Sequence, residues 1–138
     1  MANKADFYVG RGPDAEWLGS VGWDGLPDGI PPAIRSATTE DDYRAEVAQF
    51  LDRRGDAVLP EQGWPWTWDD SSGTNYAYAM DKGRVWASCY GSSWWKAKNK
   101  EPDHTTLRRK VARFPDMALR RKMDANKAGR KRILVVRE

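Results

Sequence analysis

Tyr76-Ala77-Tyr78-Ala79-Met80-Asp81-Lys82-Gly83-Arg84-Val85-Trp86-Ala87-Ser88-Cys89-Tyr90 is the stretch on which the fold turns. Residues 74–80 and 84–90 are two strand-like runs, rich in aromatic and β-branched side chains. Between them, Asp81-Lys82-Gly83 suits a three-residue hairpin loop with Gly83 in the left-handed position. Tyr76, Tyr78 and Met80 share one face of the first run, and Trp86 and Tyr90 share one face of the second. A hairpin with large aromatics on one side needs something packed over that side.

Working outward, residues 5–10 and 17–23 read as two further strands. Gly19 and Gly22 thin the second, which predicts a bulge or the close approach of another backbone. Thr39-Glu40-Asp41-Asp42 is a helix start, with Thr39 as cap and three acids at the positive end of the dipole. Tyr43, Val47, Phe50 and Leu51 then recur on one helical face, and Gly55 is a natural stop. Residues 24–32 and 56–72 are too dense in Gly, Pro and Asp for long regular elements. Beyond Trp95, residues 104–114 and 116–129 carry helical apolar spacing, and residues 132–137 read as a closing strand. The expected fold is one α+β domain spanning 1–138, a small, mainly antiparallel sheet with about three helices packed on it.

Length and composition fit that expectation. A chain of 138 residues is long enough for a real core, and 12% aromatic residues argue against disorder. One cysteine, Cys89, cannot pair within the chain and reads as a small buried hydrophobe. The first residues lack the apolar core of a signal peptide, and no apolar run is long enough to span a bilayer; together these predict a cytoplasmic protein without membrane attachment.

Charge is unevenly divided. Residues 1–95 carry 8 Lys/Arg and 15 Asp/Glu, whereas residues 96–138 carry 15 Lys/Arg and 5 Asp/Glu. The basic third holds Arg108, Arg109, Arg113, Arg120, Arg121, Lys122, Arg130, Lys131 and Arg132, donors of the kind that phosphate binding needs. An ordinary amphipathic helix pair with a basic wet side is the plainer alternative.

Six of the eight tryptophans fall between Trp64 and Trp95. Pro65 favours an extended chain, which would point Trp64, Trp66 and Trp68 the same way. Such a row either grips a ligand or partner or lies as a lid over the sheet; the size of the indoles favours the lid for most of them. Trp66 and the pair Trp94 and Trp95 are the ones expected at the surface if this region binds a partner.

Catalytic signals are thin. His104 is the sole histidine, at an expected helix start, and Asp69-Asp70 suits turn capping better than metal binding. Gly10-Arg11-Gly12-Pro13 follows a strand but lacks both the dinucleotide and the Walker spacing. It reads as a turn whose Arg11 could meet an anion. No catalytic residue, metal site or cofactor is assigned.

Residues 6–20 and 63–91, with their Trp-Pro-Trp and Tyr-Ala-Tyr-Ala-Met runs, resemble small uncharacterised proteins of bacteriophages and bacterial mobile elements. The resemblance covers the first two thirds of the chain and carries no activity. It implies an accessory protein that works by binding a host or phage component. The first expectation is therefore a non-enzymatic module that binds a protein partner, such as a host defence or replication component, near Trp64, Trp66, Trp68, Trp94 and Trp95. Two alternatives stand beside it. One is a nucleic-acid binder using the basic C-terminal helices. The other is a small nucleotide-processing enzyme with Arg11 as anion clamp and the Trp loop as stacking wall; that reading needs Arg11 and an acid such as Glu16 to converge.

Overall fold

A computed structural model describes residues 3–102. The helices expected at 104–114 and 116–129, the strand at 132–137 and His104 lie outside the described residues, as do Arg108, Arg109, Arg113, Arg120, Arg121, Lys122, Arg130, Lys131 and Arg132. The elements run β1 (Ala5–Val9), β2 (Glu16–Val21), α1 (Pro32–Arg35), α2 (Glu40–Asp52), β3 (Tyr76–Asp81), β4 (Arg84–Cys89) and β5 (Trp95–Lys96). Five strands form one sheet in the order β2-β1-β3-β4-β5. β1 and β3 pair in parallel, and the other three pairs are antiparallel. The class is α+β with a mainly antiparallel sheet. Two helices, not three, fall among the described residues.

α2 forms as its sequence dictates. Thr39 Oγ1 accepts from the Asp42 N–H at 3.1 Å, and Tyr43, Val47, Phe50 and Leu51 are its buried face. The β3–β4 turn differs from expectation. Asp81 pairs with Arg84, so the loop has two residues, Lys82 (φ 53°) and Gly83 (φ 79°). Both are left-handed, as a type I′ turn requires. The pairing Ala79↔Trp86 also puts Trp86 on the opposite face of the sheet from Tyr76, Tyr78 and Met80. The hairpin is thus aromatic on both faces, and each face has its own cover.

One face carries Phe7 from β1, Tyr76, Tyr78 and Met80 from β3, and Val85, Ala87 and Cys89 from β4. These pack with Ile34 of α1 and the buried face of α2. Phe7 meets Phe50 edge-on at 5.9 Å and stacks with Tyr78 at 5.5 Å. Cys89 is buried here, which pushes its thiol up to about 11, in keeping with a packing residue.

The other face carries Tyr8, Trp17, Ala77 and Ala79, with Trp64 and Trp94 packed against them. β2 reaches both faces because its pairing slips by one residue between Phe7↔Gly19 and Tyr8↔Trp17. Gly19, at φ 147°, sits at this bulge. A Cβ there would lie 2.7 Å from Leu51 Cδ1 and 2.9 Å from the Val58 carbonyl, the close approach that the glycines of this strand predict.

Candidate functional site

The Trp-rich loop is built around one buried carboxylate. Asp6 is the second residue of β1, with no solvent exposure, on the face opposite Phe7. Its Oδ1 accepts from Ser20 Oγ at 2.6 Å and from the Trp66 indole at 2.7 Å. Its Oδ2 accepts from Ser71 Oγ at 2.6 Å and Thr74 Oγ1 at 2.7 Å. Indole N–H groups can only donate, and that fixes the direction of the chain. Trp17 donates to Ser20 Oγ at 3.0 Å, and Trp68 donates to Thr74 Oγ1 at 2.8 Å. Each hydroxyl therefore turns its own proton towards Asp6. Burial pushes the Asp6 pKa up; the hydrogen bonds from Ser20, Ser71, Trp66 and Thr74 oppose this without cancelling it.

Trp64, Trp66 and Trp68 do point to one side, and that side is inward. Trp64 meets Trp17 edge-on at 5.1 Å and donates to the Trp68 carbonyl at 2.7 Å. Trp66 and Trp68 stack at 5.5 Å. Gly73 makes room for the Trp68 ring, which a Cβ would approach to 2.6 Å. Trp64, Trp66 and Trp68 remain half-buried, so parts of their faces are open. Trp94 is half-buried on the same side. Trp95 lies on the helix face opposite Ala87, 8% exposed, and its Nε1 has no acceptor among the described residues.

Arg11 lies in the β1–β2 turn. Its Nε donates to Asp81 Oδ2 at 2.9 Å, and its guanidinium lies over the Trp86 ring at 4.0 Å. Glu16 is held elsewhere, receiving two hydrogen bonds from Arg44 at 2.6 and 3.2 Å. Arg11 and Glu16 are thus drawn to different partners. Asp70 caps the turn that follows it, accepting from the Ser72 N–H at 3.0 Å. Among the described residues no three His, Cys, Asp or Glu side chains gather as a metal would need. None of the described helices is long and apolar enough to cross a membrane.

A second acid, its side chain only 4% exposed, ties the loop before α1 to the end of α2. Asp56 accepts from Arg54 through both oxygens, at 2.7 and 2.9 Å, and from the N–H groups of Gly22 and Trp23 at 2.8 and 3.0 Å. Burial would raise its carboxyl; these donors outweigh burial and bring it down to about 2 from 3.8. A lowered pKa gives stability that is complete above the unfolded value and lost as pH falls through the folded one. That difference is worth about 2 kcal/mol. Asp56→Asn is expected to lose about that much at neutral pH and to show a flatter decline between pH 4 and 2 in urea titrations. A decline as steep as the parent's would contradict the assignment.

Three arginines, at 11, 44 and 54, are ion-paired. A different group is not. Arg35, Arg84, Lys96 and Lys98 line one cleft of about 90 Å³ at the β5 edge of the sheet. Among the described residues no carboxylate lies within ion-pair distance of any of them. These four were invisible as a group in the sequence, because they are spread over more than sixty positions and form no local run. The far side of the molecule holds an apolar groove instead, about 620 Å³, between α2 and the turn at Leu59. Comparison with known protein families, curated proteins and solved structures finds no match to this chain.

Proposed function

We propose that the protein works by binding and not by catalysis, and that its partner is a nucleic acid met by the basic end of the molecule. The observation that carries this is the unpaired cationic cleft at the β5 edge, from which the chain runs on into the basic residues 103–138. Cations left without carboxylate partners are what a phosphate backbone needs, because each phosphate neutralised releases counterions. The indole N–H groups of Trp64, Trp66 and Trp68 all serve the protein's own acceptors, so the Trp loop is the cover of a sheet face and the contact lies elsewhere. Arg11 and Glu16 go to separate partners, which weighs against a nucleotide-processing centre built from them. The setting we propose is the cytoplasm of a bacterium carrying the phage or mobile element. It rests on the resemblance of residues 6–20 and 63–91.

A protein partner is the second reading, and the α2 groove favours it. Leu18, Val47, Leu51 and Leu59 give that groove an apolar lining, and Leu59 is 37% exposed. Apolar side chains of a partner would fill it.

Fluorescence anisotropy with labelled generic DNA and RNA separates the two. The full chain is expected to bind at low salt and to weaken steeply as salt rises, with a log–log slope of roughly −0.7 to −0.9 per phosphate contacted. No binding at low salt would overturn the nucleic-acid reading and leave the protein partner.

A further inference from the structure

We infer that the Trp86 side of the sheet, at its β4–β5 end, is a docking surface for single-stranded nucleic acid, an inference that rests on the nucleic-acid reading above. Register places its residues. The pairs Ala79↔Trp86 and Asp81↔Arg84 put Trp86 and Arg84 on the face that carries Tyr8 and Ala77. The pair Trp86↔Lys96 sets Lys96 directly across from the indole. Such opposed residues stand about 4.5–5.5 Å apart at Cβ. Arg11 reaches in from the β1–β2 turn, its guanidinium 4.0 Å from the centre of the Trp86 ring, and Arg84 lies 5.9 Å from the same ring. Burial divides this face. Tyr8, Ala77 and Ala79 are buried beneath Trp64 and Trp94, whereas Trp86 is half-buried and Arg84 and Lys96 are exposed. On the opposite face the same two strands are closed: Val85, Ala87 and Trp95 are buried.

Charge and ring chemistry choose the occupant. Asp81 faces Arg84 across the ladder but is ion-paired with Arg11 at 2.9 Å. Three cations, Arg11, Arg84 and Lys96, thus share one carboxylate around an aromatic ring. A phosphate backbone matches the surplus, because neutralising it releases counterions. Indole rings and guanidinium planes both take unpaired bases by stacking. In a duplex the bases already stack on one another, so the ring would add nothing to the cations. The phosphates belong at Arg84 and Lys96, and one base belongs against Trp86 and Arg11.

The test measures the affinity of the full chain for a short oligothymidylate, for an abasic strand of the same length, for a duplex and for a polyglutamate peptide. The parent is expected to prefer oligothymidylate over the abasic strand by roughly fivefold to a hundredfold. Trp86→Leu should remove most of that preference. Arg11→Lys, at a surface turn, keeps the charge and loses the planar group, so it should weaken the preference without the risk to folding that a half-buried indole carries. Arg84→Gln with Lys96→Gln, both exposed, should reduce the magnitude of the salt slope by about 1 for each cation. Arg53→Gln, exposed at the end of α2, is the matched control and should change neither. Salt-sensitive nucleic-acid binding with no preference for bases, or with that preference intact in both Trp86→Leu and Arg11→Lys, would overturn this inference and leave the wider reading standing. So would a salt slope unmoved by the paired glutamine exchange, or a duplex bound as tightly as the single strand. Binding of polyglutamate in place of every nucleic acid would assign the face to an acidic protein segment and overturn both. Silence with all four probes at low salt would also overturn both.

Discussion

Asp6→Ala is expected to destabilise the protein by about 3–5 kcal/mol, a large share of the roughly 5–15 kcal/mol that holds a domain of this size together. The reason is geometric. Four donors converge on this one carboxylate: Ser20, Trp66, Ser71 and Thr74. Removing it leaves them facing a void, and each buried donor without an acceptor costs about 1–3 kcal/mol. Hydroxyls can turn towards other acceptors, but the Trp66 N–H cannot. Asp6→Asn should recover little. Its amide NH₂ would replace one oxygen and set a donor against either Ser20 and Trp66 or Ser71 and Thr74. Urea unfolding followed by tryptophan fluorescence measures both variants. A loss under about 1 kcal/mol for Asp6→Ala would show that the four bonds contribute nothing to stability.

Trp66→Ala is expected to cost about 3–4 kcal/mol. Losing one donor to the buried Asp6 carboxyl costs about 1–3 kcal/mol, and the rest comes from the stack on Trp68 and the apolar area that a half-buried indole covers. Trp66→Phe would keep the ring contact and lose the N–H, so it should fall between the parent and the alanine variant. Equal losses for the two variants would assign the whole effect to the N–H; no loss for Phe would assign it to packing. Either result tells which of the two ties the loop to the sheet. The indole faces left open at Trp66 and Trp68 then have no necessary role in recognition.

Much of the α2 half of the molecule was legible in the sequence. Tyr43, Val47, Phe50 and Leu51 sit at helical spacing after a capping Thr39, and local periodicity is enough to find such an element. The bulge at Gly19 was also signalled locally, by two glycines in a short strand. The parallel pairing of β1 with β3 was not, because it joins positions about seventy apart with α2 between them. The same gap hid the face of Trp86: alternation says which residues of a strand share a face, and only the register across strands says which face that is.

Asp6 was the larger omission. It reads as one acid among 20, yet it sits between Ala5 and Phe7 inside a strand, where an acid on a wet face is the ordinary expectation. Its partners Ser71 and Thr74 are more than sixty residues away. The one local hint was the need of each indole for an acceptor. For the cationic cleft there was no local hint. Arg35, Arg84, Lys96 and Lys98 become neighbours only when α1, the β3–β4 turn and β5 meet at one edge.

The central claim is that the tryptophan loop serves the fold and the basic edge serves the partner. Trp66→Ala tests it most directly when unfolding free energy and nucleic-acid affinity are measured on the same preparation, at one salt concentration and under conditions where the variant is folded. The account predicts a stability loss of about 3–4 kcal/mol with affinity unchanged. Unchanged stability with lost affinity would contradict it, and would make the loop the binding surface.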